Sequence, residues 1–148
     1  MLYDGEPSSV TRDLESQGVT IIYIRVPFYN QLAAYGNDNP SYIAITSGCY
    51  LRTQIPLLEK EDQYVLYTDC DVLFRSDPDF SNLKPTYFAV APEGDREDYV
   101  GNMNSGVMLI NCETMRETYS AFEHFIANNL HIGLDQDHYK AFYQGKWE

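Results

Sequence analysis

Apolar and polar positions along this chain fall into blocks that predict helices and strands in turn. Ser8 and Ser9 open a polar, helix-compatible stretch over residues 10–17 that Gly18 closes, and residues 19–26 read as a strand. Residues 27–40, with Gly36, Asn37, Asp38 and Asn39, read as a loop. Apolar residues at Tyr42, Ile43, Ile45, Cys49, Tyr50, Ile55 and Leu58 predict a helix over 42–58, interrupted near Pro56. A charged turn follows. Tyr64-Val65-Leu66-Tyr67 is then a short apolar run ending in Asp69-Cys70-Asp71, the pattern of a buried parallel strand with polar residues at its C-terminal end, where ligands gather. Residues 87–91 and 105–110 read as two further strands separated by a polar loop over 92–102. Residues 113–128 form an amphipathic helix with Met115, Tyr119, Phe122, Phe125 and Ile126 on one face, and Leu134-Asp135-Gln136-Asp137 opens a last short helix to about 144. Strands alternating with helices, without an internal repeat, predict one α/β domain over 1–148 built on a mostly parallel sheet.

Composition narrows the chemistry. The 148 residues are 44% hydrophobic and 14% aromatic, with 13 tyrosines, which excludes disorder, collagen and coiled coil. Ten basic against 22 acidic residues leave a formal charge of -12, so no basic surface follows a phosphate polymer and nucleic acid is not an expected partner. A small phosphate compound remains compatible if a metal ion sits between it and the carboxylates. Cys49, Cys70 and Cys112 are odd in number, widely spaced and without a Cys-x-x-Cys, which predicts neither a disulfide framework nor a zinc site and fits a reducing, cytoplasmic setting. The N-terminus has neither the basic start nor the apolar run of a signal peptide, no apolar run approaches the length of a membrane span, and Asn39-Pro40-Ser41 is blocked as a sequon by its proline.

No Gly-x-Gly-x-x-Gly or Gly-x-x-x-x-Gly-Lys-Ser/Thr is present, which argues against dinucleotide oxidoreductases and P-loop enzymes. Asp-x-Asp occurs three times, at Asp69-Asp71, Asp77-Asp79 and Asp135-Asp137. With twelve aspartates the bare motif carries little, so its setting decides. Asp77 and Asp79 flank Pro78 in a polar turn and read as a solvated loop. Asp69 and Asp71 lie between two apolar runs, the second being Val72-Leu73-Phe74, where an uncompensated charge is costly. In an extended segment residues i and i+2 share a side, so both carboxylates could reach one hard divalent cation that also holds diphosphate oxygens; the alternative is a carboxylate pair capping a turn.

Tyr64-Val65-Leu66-Tyr67-Thr68-Asp69-Cys70-Asp71-Val72-Leu73-Phe74 resembles the strand and Asp-x-Asp motif of retaining nucleotide-sugar glycosyltransferases of family 8, the glycogenin and bacterial galactosyltransferase group. Met103-Asn104-Ser105-Gly106-Val107-Met108-Leu109-Ile110-Asn111 and Leu134-Asp135-Gln136-Asp137 resemble two further segments of that family in the same order, and Arg52 matches an arginine it places near the donor diphosphate. The resemblance implies a GT-A-like (Rossmann-like) fold and transfer of a hexose from a nucleoside-diphosphate sugar, a UDP-hexose foremost, to a hydroxyl of a glycan, lipid or protein acceptor. It implies that Asp69 and Asp71 hold Mn²⁺ or Mg²⁺ and that Cys70 meets the ribose through its backbone. Asn104, Ser105 and Gly106 would line the sugar, Asp135 would hold sugar hydroxyls, and Gln136 would sit near the anomeric carbon. An uncharged amide is a weak nucleophile, so front-face transfer assisted by the leaving phosphate is favoured over a covalent intermediate.

Two departures accompany the match. Leu2-Tyr3-Asp4-Gly5 already resembles the family's second strand, so the first βα unit is expected to be missing, and the downstream His-x-x-Gly-x-x-Lys segment, which supplies a third metal ligand and a diphosphate lysine, is absent from the sequence. Poor solubility or self-association through the edge left by that lost strand is the physical expectation. Two other readings remain: a haloacid-dehalogenase-like phosphatase with Asp69 as nucleophile and Asp71 as general acid, and a non-catalytic domain that keeps the fold. Plainer roles are open for several residues. Asn104 would be a turn residue and Gly106 a packing glycine, Asp135 a helix N-cap and Arg52 an exposed helix residue. Trp147 reads as packing rather than as a sugar platform, His124, His131 and His138 as surface or structural residues, and Glu93, Asp95, Glu97 and Asp98 as either sugar contacts or a solvated acidic loop.

Overall fold

The serine pair that marks a helix start acts as one in the computed structural model, which describes residues 1–93 and 102–148. Ser8 Oγ accepts the Thr11 N–H at 3.2 Å and Thr11 Oγ1 accepts the Ser8 N–H at 2.8 Å, a reciprocal box that caps helix α1, Ser9–Ser16. The chain divides into two units, Met1–Gln54 and Ile55–Glu148.

In the first unit, strands β1 (Leu2–Tyr3) and β2 (Ile22–Tyr23) pair in parallel on either side of α1, so the α-then-β reading of this region holds, although the strand expected over 19–26 is only two residues long. The expected loop over 27–40 instead contains helix α2, Tyr29–Tyr35. Helix α3, Pro40–Tyr50, begins with Asn39 Oδ1 accepting from Ser41 and Tyr42 and with Pro40 in its first turn, where a missing N–H costs nothing. It tightens into a 3₁₀ turn, Leu51–Gln54, before the short helix α4, Ile55–Leu58, opens the second unit. Val26, Phe28, Leu32, Ile43, Tyr50 and Leu51 form the first unit's core, with Phe28 and Tyr50 edge to face at 5.2 Å.

The second unit is organised by strand β5, Met103–Asn111, which lies between β3, Tyr64–Thr68, and β4, Phe88–Pro92, in the order β3-β5-β4. Both pairings are antiparallel. The expected mostly parallel sheet is therefore corrected: among the described residues only β1 and β2 run parallel. The reason lies in the connections: only residues 93–102 separate β4 from its neighbour β5, fewer than the dozen or so that the crossover of a parallel pair needs, and β3 flanks β5 on its other edge, running opposite to it as well. What stands is a mixed α/β architecture. Helix α5, Cys112–Asn128, follows β5 directly. Asn111, the last residue of the strand, accepts the Thr114 N–H on Oδ1 and donates from Nδ2 to the Pro85 carbonyl at 3.1 Å, so one buried side chain ends the strand and caps the helix.

Cys112, Met115, Tyr119, Phe122 and Ile126 are the buried face of α5, while Phe125 is only half-buried. Phe122 packs on Tyr139 at 4.8 Å and on Tyr143 at 5.1 Å, and Phe88 of β4 meets both tyrosines at 5.4 Å. This aromatic cluster pins helix α6, Asp135–Phe142, against the sheet and thereby fixes where its N-terminal residues Asp135 and Gln136 stand. After α6, Glu148 pairs with β4: its N–H donates to the Phe88 carbonyl at 3.1 Å and its carbonyl accepts the Val90 N–H at 2.9 Å.

Candidate functional site

The Asp-x-Asp segment begins where β3 ends. Tyr67 Oη donates to Asp69 Oδ1 at 2.5 Å, and the Asp69 N–H donates to the Gly106 carbonyl at 2.8 Å, so this carboxylate is held at both its backbone and its side chain. The segment does not stay extended. Cys70 and Asp71 form a turn, closed by the Val72 N–H on the Asp69 carbonyl, and both are exposed. Two expectations are corrected here. Asp69 and Asp71 do not share a strand face, and Val72-Leu73-Phe74 is not a buried run, since Leu73 is 87% exposed and Phe74 44% exposed. The apolar side chains that suggested burial sit on a turn-rich stretch with no sheet partner.

Opposite Asp69, β5 carries an irregularity that the sequence did not announce. Its pairing with β4 runs regularly to Val90↔Met108 and then resumes at Ala91↔Asn104, so Ser105, Gly106 and Val107 are extra residues against β4. Such a bulge re-aims the residues it contains and is common beside functional sites. Asn104 is exposed and its Oδ1 accepts the Gly106 N–H at 2.9 Å. A Cβ placed on Gly106 would stand 3.0 Å from Asn104 Oδ1 and 3.0 Å from Asp69 Oδ2. Gly106 thus leaves a small cradle on which one carboxylate oxygen and one amide oxygen converge, which is a stronger reason for glycine than general packing.

Ser105, beside it, is buried and joins the site to α6. Gln136 Oε1 accepts the Ser105 N–H at 2.9 Å and its hydroxyl at 3.3 Å, while Gln136 Nε2 donates to Glu93 Oε2 at 3.1 Å. Lys140, one turn further along α6, pairs with the same Glu93 oxygen at 3.4 Å. Asp135 is 4% exposed and occupies the first turn of α6 rather than its N-cap, which is Leu134. The carboxylate that serves the helix start is Asp137, whose Oδ2 accepts the Leu134 N–H at 3.3 Å.

Asp69, Asn104, Ser105, Gly106 and Gln136 are therefore linked through hydrogen bonds and the Gly106 cradle, with Cys70 and Asp71 on the adjoining turn. Arg52 belongs to the first unit, where it is 5% exposed and its Nε donates to the Cys49 carbonyl at 3.2 Å, so its reading as an exposed helix residue is corrected. Asp95, Glu97 and Asp98 lie outside the described residues; Glu93 is the acidic residue of that loop seen here, and it contacts Gln136 and Lys140. His138 is structural: fully buried, with Nδ1 2.8 Å from the Leu134 carbonyl and Nε2 3.1 Å from that of Asn129.

For a divalent cation, the oxygens around Gly106 supply the hard donors that Mn²⁺ or Mg²⁺ prefers. Among the described residues no three His, Cys, Asp or Glu side chains group closely enough to hold an ion by themselves, so the phosphate oxygens of a bound ligand would have to complete the set. Among those residues, too, no helix is long and apolar enough to cross a membrane. In comparisons with known proteins, no family model, no curated protein and no solved structure matches this chain.

Proposed function

We propose that the second unit carries the donor site of a retaining, GT-A-like glycosyltransferase that moves a hexose from a nucleoside-diphosphate sugar to a hydroxyl acceptor. The observation that carries this reading is the convergence of Asp69 Oδ2 and Asn104 Oδ1 on the space left by Gly106, next to the Ser105–Gln136 pair. Three separate sequence segments, each resembling family 8 glycosyltransferases, meet there.

In this reading Asp69 and Asp71, with Asn104, hold Mn²⁺ or Mg²⁺, which would supply charge stabilisation for the departing nucleoside diphosphate. Asn104, Ser105 and Gly106 line the hexose, and Cys70 borders the nucleoside through its backbone. Gln136 positions rather than attacks: its amide oxygen already accepts two hydrogen bonds from Ser105, and an amide is a poor nucleophile. The bond from the anomeric carbon to the phosphate oxygen breaks, the bond to the acceptor oxygen forms on the same face, and the acceptor proton passes to the leaving phosphate. Asp135, buried in the first turn of α6 next to Gln136, offers a carboxylate to sugar hydroxyls.

The test is calorimetric titration of Mn²⁺ followed by UDP and UDP-glucose, with Asp69→Asn beside the wild type. Metal-dependent UDP binding in the wild type that is lost in the variant supports the reading; UDP binding that ignores both metal and Asp69 sinks it. A second reading, a domain that retains the arrangement without turnover, is favoured by the exposed turn position of Asp71 and by the lack of a third protein carboxylate or histidine among the described residues. It is separated from the first by assaying hydrolysis of UDP-glucose once binding is seen.

A further inference from the structure

We propose that a cavity beside α6 binds one neutral sugar residue, with Trp147 as its stacking wall. The cavity is about 670 Å³ and is lined by Asp137, Lys140, Ala141 and Gln144, with Ile132 and Trp147 flanking them. This volume lies within the range that holds small-molecule ligands, and the composition, apolar walls with a few polar groups, is the usual one. The spacing 137, 140, 141, 144 places the four on one side of α6 and its C-terminal turn.

Trp147 was expected to pack, yet it is only half-buried and faces this cavity. Its position is fixed from both sides. Gly145, with φ +70°, turns the chain after α6, and the Lys146 N–H donates to the Tyr143 carbonyl at 2.9 Å. On the other side Glu148 is paired with β4 through both of its backbone groups. The backbone on both sides of Trp147 is thus held, which fixes where its side chain starts and lowers the cost of ordering this segment around a ligand.

The polar groups select the ligand class. Asp137 accepts the Leu134 N–H on one oxygen and has further lone pairs to accept from hydroxyls; the exposed Gln144 amide both donates and accepts. Lys140 is already offset by Glu93. With Glu93 and Asp137 set against this single ammonium, the cavity offers no net positive charge to an anion, and a chain of formal charge -12 repels anions as a whole. A ligand with an apolar face for the indole, hydroxyls for Asp137 and Gln144, and no charge is a pyranose. This inference requires neither metal nor nucleotide and stands apart from the transfer reading.

Trp147 is the chain's single tryptophan, so its emission, excited selectively over tyrosine, reports on this cavity directly. The full chain is titrated with lactose, maltose, cellobiose and methyl glucoside, and with glucuronate as the charged control. The expected result is a saturable change with at least one neutral sugar, no change with glucuronate, a response at least about tenfold weaker in Gln144→Leu, and an undiminished response in Asp69→Asn without metal. Gln144 is exposed, so its replacement leaves the fold intact, which near-ultraviolet circular dichroism checks. A wild-type chain that is folded and shows no saturable response overturns the proposal, as does an equal response in Gln144→Leu. A response that vanishes in Asp69→Asn overturns it as well, by placing the sugar at the Asp-x-Asp site. A sugar response in a chain that binds no UDP supports the cavity while sinking the transfer reading.

Discussion

Gln136 Oε1 accepts both the backbone N–H and the hydroxyl of Ser105, so the first turn of α6 is tied to the bulged part of β5 across 31 positions of sequence. The same side chain reaches Glu93 at the end of β4 through its NH₂ group. Gln136→Ala removes the acceptor from a buried N–H, and the expected loss of stability is about 1–3 kcal/mol. Gln136→Glu keeps an acceptor for Ser105 but loses the donor to Glu93 and sets a second acidic side chain against it, so its stability should fall between the two. Urea midpoints of the three proteins check the order.

Gly106→Ala tests the cradle. The new Cβ would lie 3.0 Å from Asp69 Oδ2 and from Asn104 Oδ1, closer than carbon and oxygen tolerate without a shift. The two side chains can swing towards solvent more easily than the backbone can move, so stability is expected to drop by only ~1 kcal/mol. Metal-dependent UDP binding should weaken by at least about tenfold, because the oxygens that would share the ion are pushed apart. Thermal melting and calorimetry on one preparation separate the two effects. A variant that binds like wild type removes the cradle from the donor site.

Gly133 and Gly145 bracket α6, both with positive φ, and their alanine variants should differ. At Gly133, φ is +136° and ψ is -151°, a region essentially restricted to glycine, and a Cβ would stand 2.1 Å from Asp137 Oδ2. Gly133→Ala therefore combines backbone strain with displacement of the carboxylate that accepts the Leu134 N–H, a cost of about 2–3 kcal/mol. At Gly145, φ is +70° and no atom lies within 4 Å of an added Cβ, so strain alone remains, about 1–2 kcal/mol. Differential scanning calorimetry ranks them. The sugar response of Trp147 should fall more in Gly133→Ala, since Asp137 lines that cavity.

Elements with strong periodicity and explicit caps were legible in the sequence: α1 with its Ser8 start, α5 with its apolar face, and β3 and β5 as compact apolar runs. Strand direction was not, because a buried strand looks the same in parallel and antiparallel pairing and only the intervening segment distinguishes them. The Gly36 to Asn39 turn residues hid α2, which precedes them and has no side-chain N-cap hydrogen bond. For the site, the motif residues were readable but their roles were only partly so. Gly106 was readable as a sugar-lining or a packing glycine, yet what approaches it is Asp69 and Asn104, a tertiary fact that spacing does not encode. Asn111 was quoted within a motif, and its work as strand terminator and helix cap emerges only from its bonds to Pro85 and Thr114.

Tyr143 makes the second unit sensitive to alkali. Its ring is fully buried among Phe88, Phe122 and Phe142, and burial pushes its hydroxyl from 10.0 up to about 12, only partly opposed by the 2.7 Å hydrogen bond with Thr118. The unfolded chain ionises at the lower value and the folded chain at the higher one, so between them the folded state holds a proton that the unfolded state has released. Stability contributed by the neutral phenol is fully present below the lower value and is lost as pH rises towards the upper one, by up to ~3 kcal/mol. Tyr143→Phe removes this dependence. The variant should be about 1 kcal/mol less stable near neutral pH, having lost the bond to Thr118, and should lose less stability than the wild type above about pH 10. Unfolding free energies of both proteins from about pH 8 to about pH 11 read this out, and the other tyrosines cancel in the difference. Parallel curves across that range would show that Tyr143 does not govern the alkaline limit.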